Sequence, residues 1–67
     1  MQSLGLKLFV DKYGLARAGN VMNMSKQAVH KAVRAGRNIQ IVDAGNGYIE
    51  AHESKILSKT AGSFPED

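Results

Sequence analysis

Residues 15–37 constrain this chain most: Leu-Ala-Arg-Ala-Gly-Asn-Val-Met-Asn-Met-Ser-Lys-Gln-Ala-Val-His-Lys-Ala-Val-Arg-Ala-Gly-Arg. The spacing of small and apolar residues predicts two short helices that cross over a tight turn. A crossing of roughly 90 to 120° over three or four residues requires the first helix to be thin where the second approaches, and Ala18 and Gly19 supply that thinness. Met22, Met24, Val29 and Ala32 supply the apolar faces that meet beneath the crossing. Asn23 stands where the chain must reverse, and Asn is one of the few non-glycine residues that accept a left-handed backbone. Ser25 follows as an N-cap, its hydroxyl placed to accept from the N–H of Gln27 or Ala28.

From Lys26 onward the residues sort onto two faces. Val29, Ala32 and Val33 fall at i, i+3 and i+4 and face a core, while Lys26, Gln27, His30, Lys31 and Arg34 project the other way. Gly36 then stops the helix. Cations on an exposed helix are often no more than a solvated face. Here they accompany Gln27 and a two-helix turn, the pattern of a helix-turn-helix DNA reader.

Charge divides along the same line. Up to Asn38, Lys7, Lys12, Arg17, Lys26, Lys31, Arg34 and Arg37 face Asp11 alone, a net +6; beyond it Lys55 and Lys59 face Asp43, Glu50, Glu53, Glu66 and Asp67, a net −3. Such asymmetry suits a module that sets one face against phosphates and keeps the other for solvent or a protein partner. In base recognition, Gln27 can pair with adenine N6 and N7, Lys26 or Lys31 can donate to guanine, and Ala28 can touch a thymine methyl. Arg17, Arg34 and Arg37 read as phosphate clamps that carry affinity and little sequence information. For Arg37 the alternative is a cation favoured by the helix dipole. His30 could meet a base when neutral or a phosphate when protonated, or be plain surface.

The rest of the chain is short and alternating. Leu6 to Tyr13 forms an amphipathic helix with Leu6, Phe9, Val10 and Tyr13 on one side and Lys7, Asp11 and Lys12 on the other. The expected helices are therefore 6–13, 15–22 and 26–35. After Gly36 the period changes to two, predicting strands at 39–44 and 48–54 around the Gly45-Asn46-Gly47 hairpin signal. Ile49 and Ala51 share a face. A two-stranded ribbon is unstable alone, so it must pack on the helices, take a third strand from Gln2 to Leu4, or pair with another subunit. The fold class is α+β in one domain, 1–59, with a frayed tail over 60–67.

With 67 residues and no cysteine, the chain has neither disulfides nor thiolate-bound metal to support its core. Small unstapled domains often gain stability by oligomerising, so a dimer is expected. No apolar run reaches the roughly 20 residues of a membrane span; a soluble protein without membrane contact is expected. Neither metal nor cofactor is expected: His52 lies on a strand with no carboxylate cluster matched to it, and the methionines read as core filler. An enzyme is not expected either. Ser25 and His30 are not in nucleophile and base geometry, the hairpin is too short to cradle a phosphate, and Glu50 and Glu53 fall on opposite strand faces.

The run Gln27-Ala28-Val29-His30-Lys31-Ala32-Val33-Arg34-Ala35-Gly36-Arg37-Asn38-Ile39, with Asn46-Gly47 at the hairpin, resembles the Cro repressors of lambda-like bacteriophages, and the likeness runs ungapped from about Leu6 to Leu57. The resemblance implies a transcriptional repressor of the bacterial host cytoplasm that binds double-stranded operator DNA as a homodimer, third helix in the major groove, with no small-molecule ligand. It implies base contacts from Lys26, Gln27, Ala28, His30 and Lys31. Backbone contacts would come from Leu15, Ala16, Arg17, Ser25, Arg34, Arg37 and Asn38. The implied dimer interface is the last strand, Glu53, Ser54 and Lys55, with Ile56 or Leu57 inserting into the partner. The chain departs from the family pattern in having Leu15 for a polar residue, Ser25 for Tyr and Asn23 for the turn glycine, and in lacking the prolines around the apolar arm. A protein-interaction scaffold, or a DNA-binding antitoxin or accessory factor, are the other readings of the same pattern.

Overall fold

The computed structural model describes residues 2–64. The elements are β1 (Gln2–Gly5), α1 (Leu6–Tyr13), α2 (Leu15–Met22), α3 (Lys26–Arg34), β2 (Gln40–Asp43), β3 (Tyr48–His52) and β4 (Ile56–Ala61). The strands form one antiparallel sheet in the order β1-β2-β3-β4. This is the expected α+β class. The third strand that the ribbon needs does come from the N-terminus, with Leu4 opposite Ile41.

One side of the sheet is apolar because the period is two: Ile41, Ile49 and Ala51 are buried, while Gln40 and Tyr48 are exposed. Leu6 and Phe9 of α1, Ala18, Val21 and Met22 of α2, and Val29 and Ala32 of α3 close over that side with Ile39. The thin place in α2 is as tight as the sequence demands. A Cβ on Gly19 would sit 2.6 Å from the Met24 carbonyl oxygen, and the Met24 N–H already donates to the Gly19 carbonyl at 2.8 Å.

The hairpin lies where the Asn-Gly signal puts it, but its backbone differs. The positive φ angles fall on Gly45 and Gly47, while Asn46 accepts the Tyr48 N–H through its side chain at 3.2 Å.

The C-terminal third departs further from expectation. The alternation predicts a strand running to Ser54 and a frayed tail from Thr60. Instead β3 ends at His52, Glu53–Lys55 form a turn, and β4 folds back on β3 with a bulge at Ala51 and His52. What holds β4 is distant in sequence. Val21 lies in the last turn of α2, where carbonyls lack helical partners, and its oxygen accepts from the hydroxyls of Ser58 (3.2 Å) and Thr60 (2.9 Å). Phe64 is buried against Phe9 and Tyr13, with ring centroids 5.6 and 6.2 Å away. Its N–H donates to Asp43 Oδ2 at 2.9 Å. The ordered fold thus extends to Phe64, and only residues 65–67 of the expected tail lie outside the described residues.

Candidate nucleic-acid interface

Local chemistry fixes the start of α3. Asn23 adopts the left-handed conformation (φ 57°, ψ 45°) and ends α2; Ser25 is extended, and its Oγ accepts the Ala28 N–H at 3.1 Å. That cap satisfies one of the orphan donors at the helix start. The far end is closed as firmly. Gly36 takes φ +69°, its N–H donates to Val33, and the Arg37 N–H reaches back to the Ala32 carbonyl at 3.2 Å. This paired closure is a Schellman motif, for which glycine is the favoured residue.

Between these caps α3 presents one polar face. Lys26, Gln27, His30, Lys31 and Arg34 are all exposed, Ala28 is half-buried among them, and Val29 and Ala32 are buried opposite. Among the described residues, none of these five long polar side chains makes a hydrogen bond or ion pair within the chain. Four donors and acceptors of different length therefore project from one rigid cylinder beside Arg34, with no competitor among the described residues.

The expected backbone-contact residues divide between elements. Ala16 and Arg17 lie exposed in the first turn of α2, which has no side-chain cap, so its first N–H groups point away from the helix unsatisfied by any side chain. Leu15 is packed against the core and its side chain has no polar atom to offer. Ser25, Arg34, Arg37 and Asn38 are exposed around the two ends of α3.

Arg37 is not free. Its Nε donates to Glu53 Oε2 at 3.0 Å and its Nη2 to Glu53 Oε1 at 2.8 Å, a two-pronged ion pair. The bond from Arg37 holds the Glu53 carboxyl below its ordinary value, and the same bond, with the carboxylate's charge, raises the guanidinium. Sequence reasoning puts Glu53 in a dimer strand and misses this pairing, because 16 residues separate the partners. Glu53, Ser54 and Lys55 form the β3–β4 turn, Ile56 opens β4 and is 57% exposed, and Leu57 is partly buried against the chain's own core.

The two histidines stand in different surroundings. His30 belongs to the α3 face, while His52 Nε2 lies 2.7 Å from Glu50 Oε1. That single carboxylate is a neighbour the sequence pattern does not assign to His52. Among the described residues no three His, Cys, Asp or Glu side chains gather as metal ligands, and no helix is long and apolar enough to cross a membrane.

A capped, cationic second helix crossing a thinned first helix over a left-handed Asn defines a helix-turn-helix domain of the DNA-binding type. The family model of Cro matches residues 1–59, and the chain belongs to the Cro family, whose members are DNA-binding transcriptional repressors of bacteriophages. No curated protein sequence matches the chain.

Proposed function

We propose that this protein is a sequence-specific repressor that occupies pseudo-palindromic operators as a homodimer, inserting α3 of each protomer into the major groove. The observation that carries the reading is the polar face of α3, held rigid at both ends and without partners among the described residues. Lys26, Gln27, Ala28, His30 and Lys31 read base edges, Gln27 pairing with adenine N6 and N7 and the lysines donating to guanine O6 or N7. Ser25, Arg34, Arg37 and Asn38 grip phosphates beside α3. Arg17 does so from α2, where the uncapped first turn also offers the backbone N–H groups of Leu15 and Ala16. Leu15 thus takes part through its main chain, which makes up for the missing polar side chain.

Dimerisation through residues 53–57 is part of the proposal. What supports it is Ile56, a large apolar side chain left exposed at the start of β4 beside the Glu53–Lys55 turn. Two copies joined there read half-sites whose centres lie about 34 to 36 Å apart. The test is selection of bound sequences from a random duplex library at near-physiological salt, followed by titration of the best site and a scrambled control. A two-fold symmetric motif, bound at least about a thousandfold more tightly than the control, is the expected result. Equal binding to every duplex, abolished by moderate salt, would leave α3 an electrostatic patch and favour a protein-interaction scaffold.

A further inference from the structure

The Arg37–Glu53 pair is built in a way that the DNA-binding reading does not require. Arg37 is fixed through its main chain, the N–H donating to the Ala32 carbonyl and the carbonyl accepting from Ile39 at 3.0 Å. Its guanidinium meets Glu53 side-on, through Nε and Nη2. A guanidinium carries five N–H donors, so this grip leaves three, the two on Nη1 and the second on Nη2, along the end-on edge. That edge has the fork geometry that recognises phosphate. Glu53 is itself held in the turn, its N–H donating to the Lys55 carbonyl at 3.0 Å. A long side chain that is otherwise mobile is therefore ordered before any DNA arrives.

We propose that Glu53 is a positioning residue for the phosphate grip: it clamps the side-on edge of Arg37 and presents the end-on edge to a backbone phosphate at the C-terminal end of α3. The inference rests on the DNA-binding reading above. It runs against simple charge counting, because a carboxylate near DNA repels phosphates. Both partners are exposed, and solvent and salt screen that repulsion, whereas the ordering of Arg37 acts at contact distance.

A double-mutant cycle separates the two effects. Binding to the best duplex recovered by selection is measured for the wild type, Glu53→Ala, Arg37→Ala and the double variant. Glu53→Ala is expected to weaken binding about fivefold despite the gain in positive charge, and to change it less than about twofold in the Arg37→Ala background. Tighter binding by Glu53→Ala, or an equal loss in both backgrounds, overturns the proposal. A wild type that binds no duplex overturns the DNA-binding reading itself. The Arg37 Nε–H resonance of the free wild-type protein gives an answer that no variant's folding can blur: slowed solvent exchange is expected, and exchange as fast as that of Arg17 contradicts the clamp.

Discussion

Helix α3 and the closing strand β4 carry polar side chains of opposite employment. Among the described residues those of α3 hold nothing: Lys26, Gln27, His30, Lys31 and Arg34 extend from a helix secured by its caps, its buried Val29 and Ala32 and the partly buried Val33. Two of the three on β4 are committed inward, Ser58 and Thr60 to the Val21 carbonyl, while Lys59 stays exposed over the Tyr48 ring. Buried or half-buried polar groups must be paired to be tolerated, and the pairing makes β4 part of what keeps the domain folded. Exposed unpaired groups contribute little to folding and are available to a partner. On the proposed function, stability and recognition are thus divided between two regions of a very small domain, and the division can be tested from both sides.

The largest effect is expected where neither region can give way, at the crossing beneath α3. Gly19→Ala places a methyl 2.6 Å from a backbone oxygen. No side-chain rotation relieves that contact, so α2 and α3 must separate. The expected cost is about 3 kcal/mol or more, comparable with the roughly 3 to 5 kcal/mol that a core of this size supplies. Circular dichroism should show a largely unfolded chain at 25 °C, with DNA binding lost along with it; a cooperative melt near the wild-type temperature would refute the crossing geometry.

Next in size is the closure of β4. Phe64→Ala removes a ring packed against Phe9 and Tyr13 and should destabilise the domain by about 3 kcal/mol in urea unfolding. A loss below about 0.5 kcal/mol would show residues from Thr60 onward to be the frayed tail that the composition suggests, and the stabilising role given to β4 would fail.

Substitutions on α3 should do the reverse. Gln27→Ala and Arg34→Ala are expected to leave unfolding free energy within about 0.5 kcal/mol of wild type. Gln27→Ala should relax the preference at one base pair by about 1 to 2 kcal/mol. Arg34→Ala should weaken all duplexes alike and lower the slope of log affinity against log salt by about 1. If either variant unfolds the protein, the polar face of α3 is less independent of the fold than its missing partners indicate.

The same division explains what could be read from the sequence. Every signal that defines α3 is local: Ser25 caps Ala28 three residues on, Asn23 turns the chain, and the apolar residues repeat with the helix period. β1 was legible only as one of three ways to complete the ribbon, because a four-residue segment carries little period of its own. β4 was not legible at all. Thr60 and the Gly-Ser pair before Phe64 look like tail composition, and the carbonyl that Ser58 and Thr60 serve lies 37 to 39 residues away. The resemblance makes Glu53 a strand residue for a partner, and nothing near it in sequence shows that Arg37 stands opposite.

The subtlest expected effect concerns the knot that ties the end of the chain to the sheet. Asp43 accepts the Phe64 N–H through Oδ2 and the Gly45 N–H through Oδ1, both at 2.9 Å. These two bonds, that from Phe64 foremost, favour the charged carboxylate and hold it below its ordinary value. A group with a lowered folded-state pKa contributes stability that is present above its unfolded value, about 3.9 for Asp, and is lost as pH falls through the lower folded value. Glu53, lowered by Arg37, acts with the same sign in nearly the same range. Urea unfolding from pH 7 down to pH 2.5 should therefore show wild type losing stability below pH 4. Asp43→Asn should be less stable at pH 7 and should lose less over the same interval, and Glu53→Gln should remove a separate part of the slope. Were Asp43→Asn to keep the full wild-type slope, the carboxylate would not be what fastens Phe64, and the hold of β4 on the core would rest on the ring and the two hydroxyls alone.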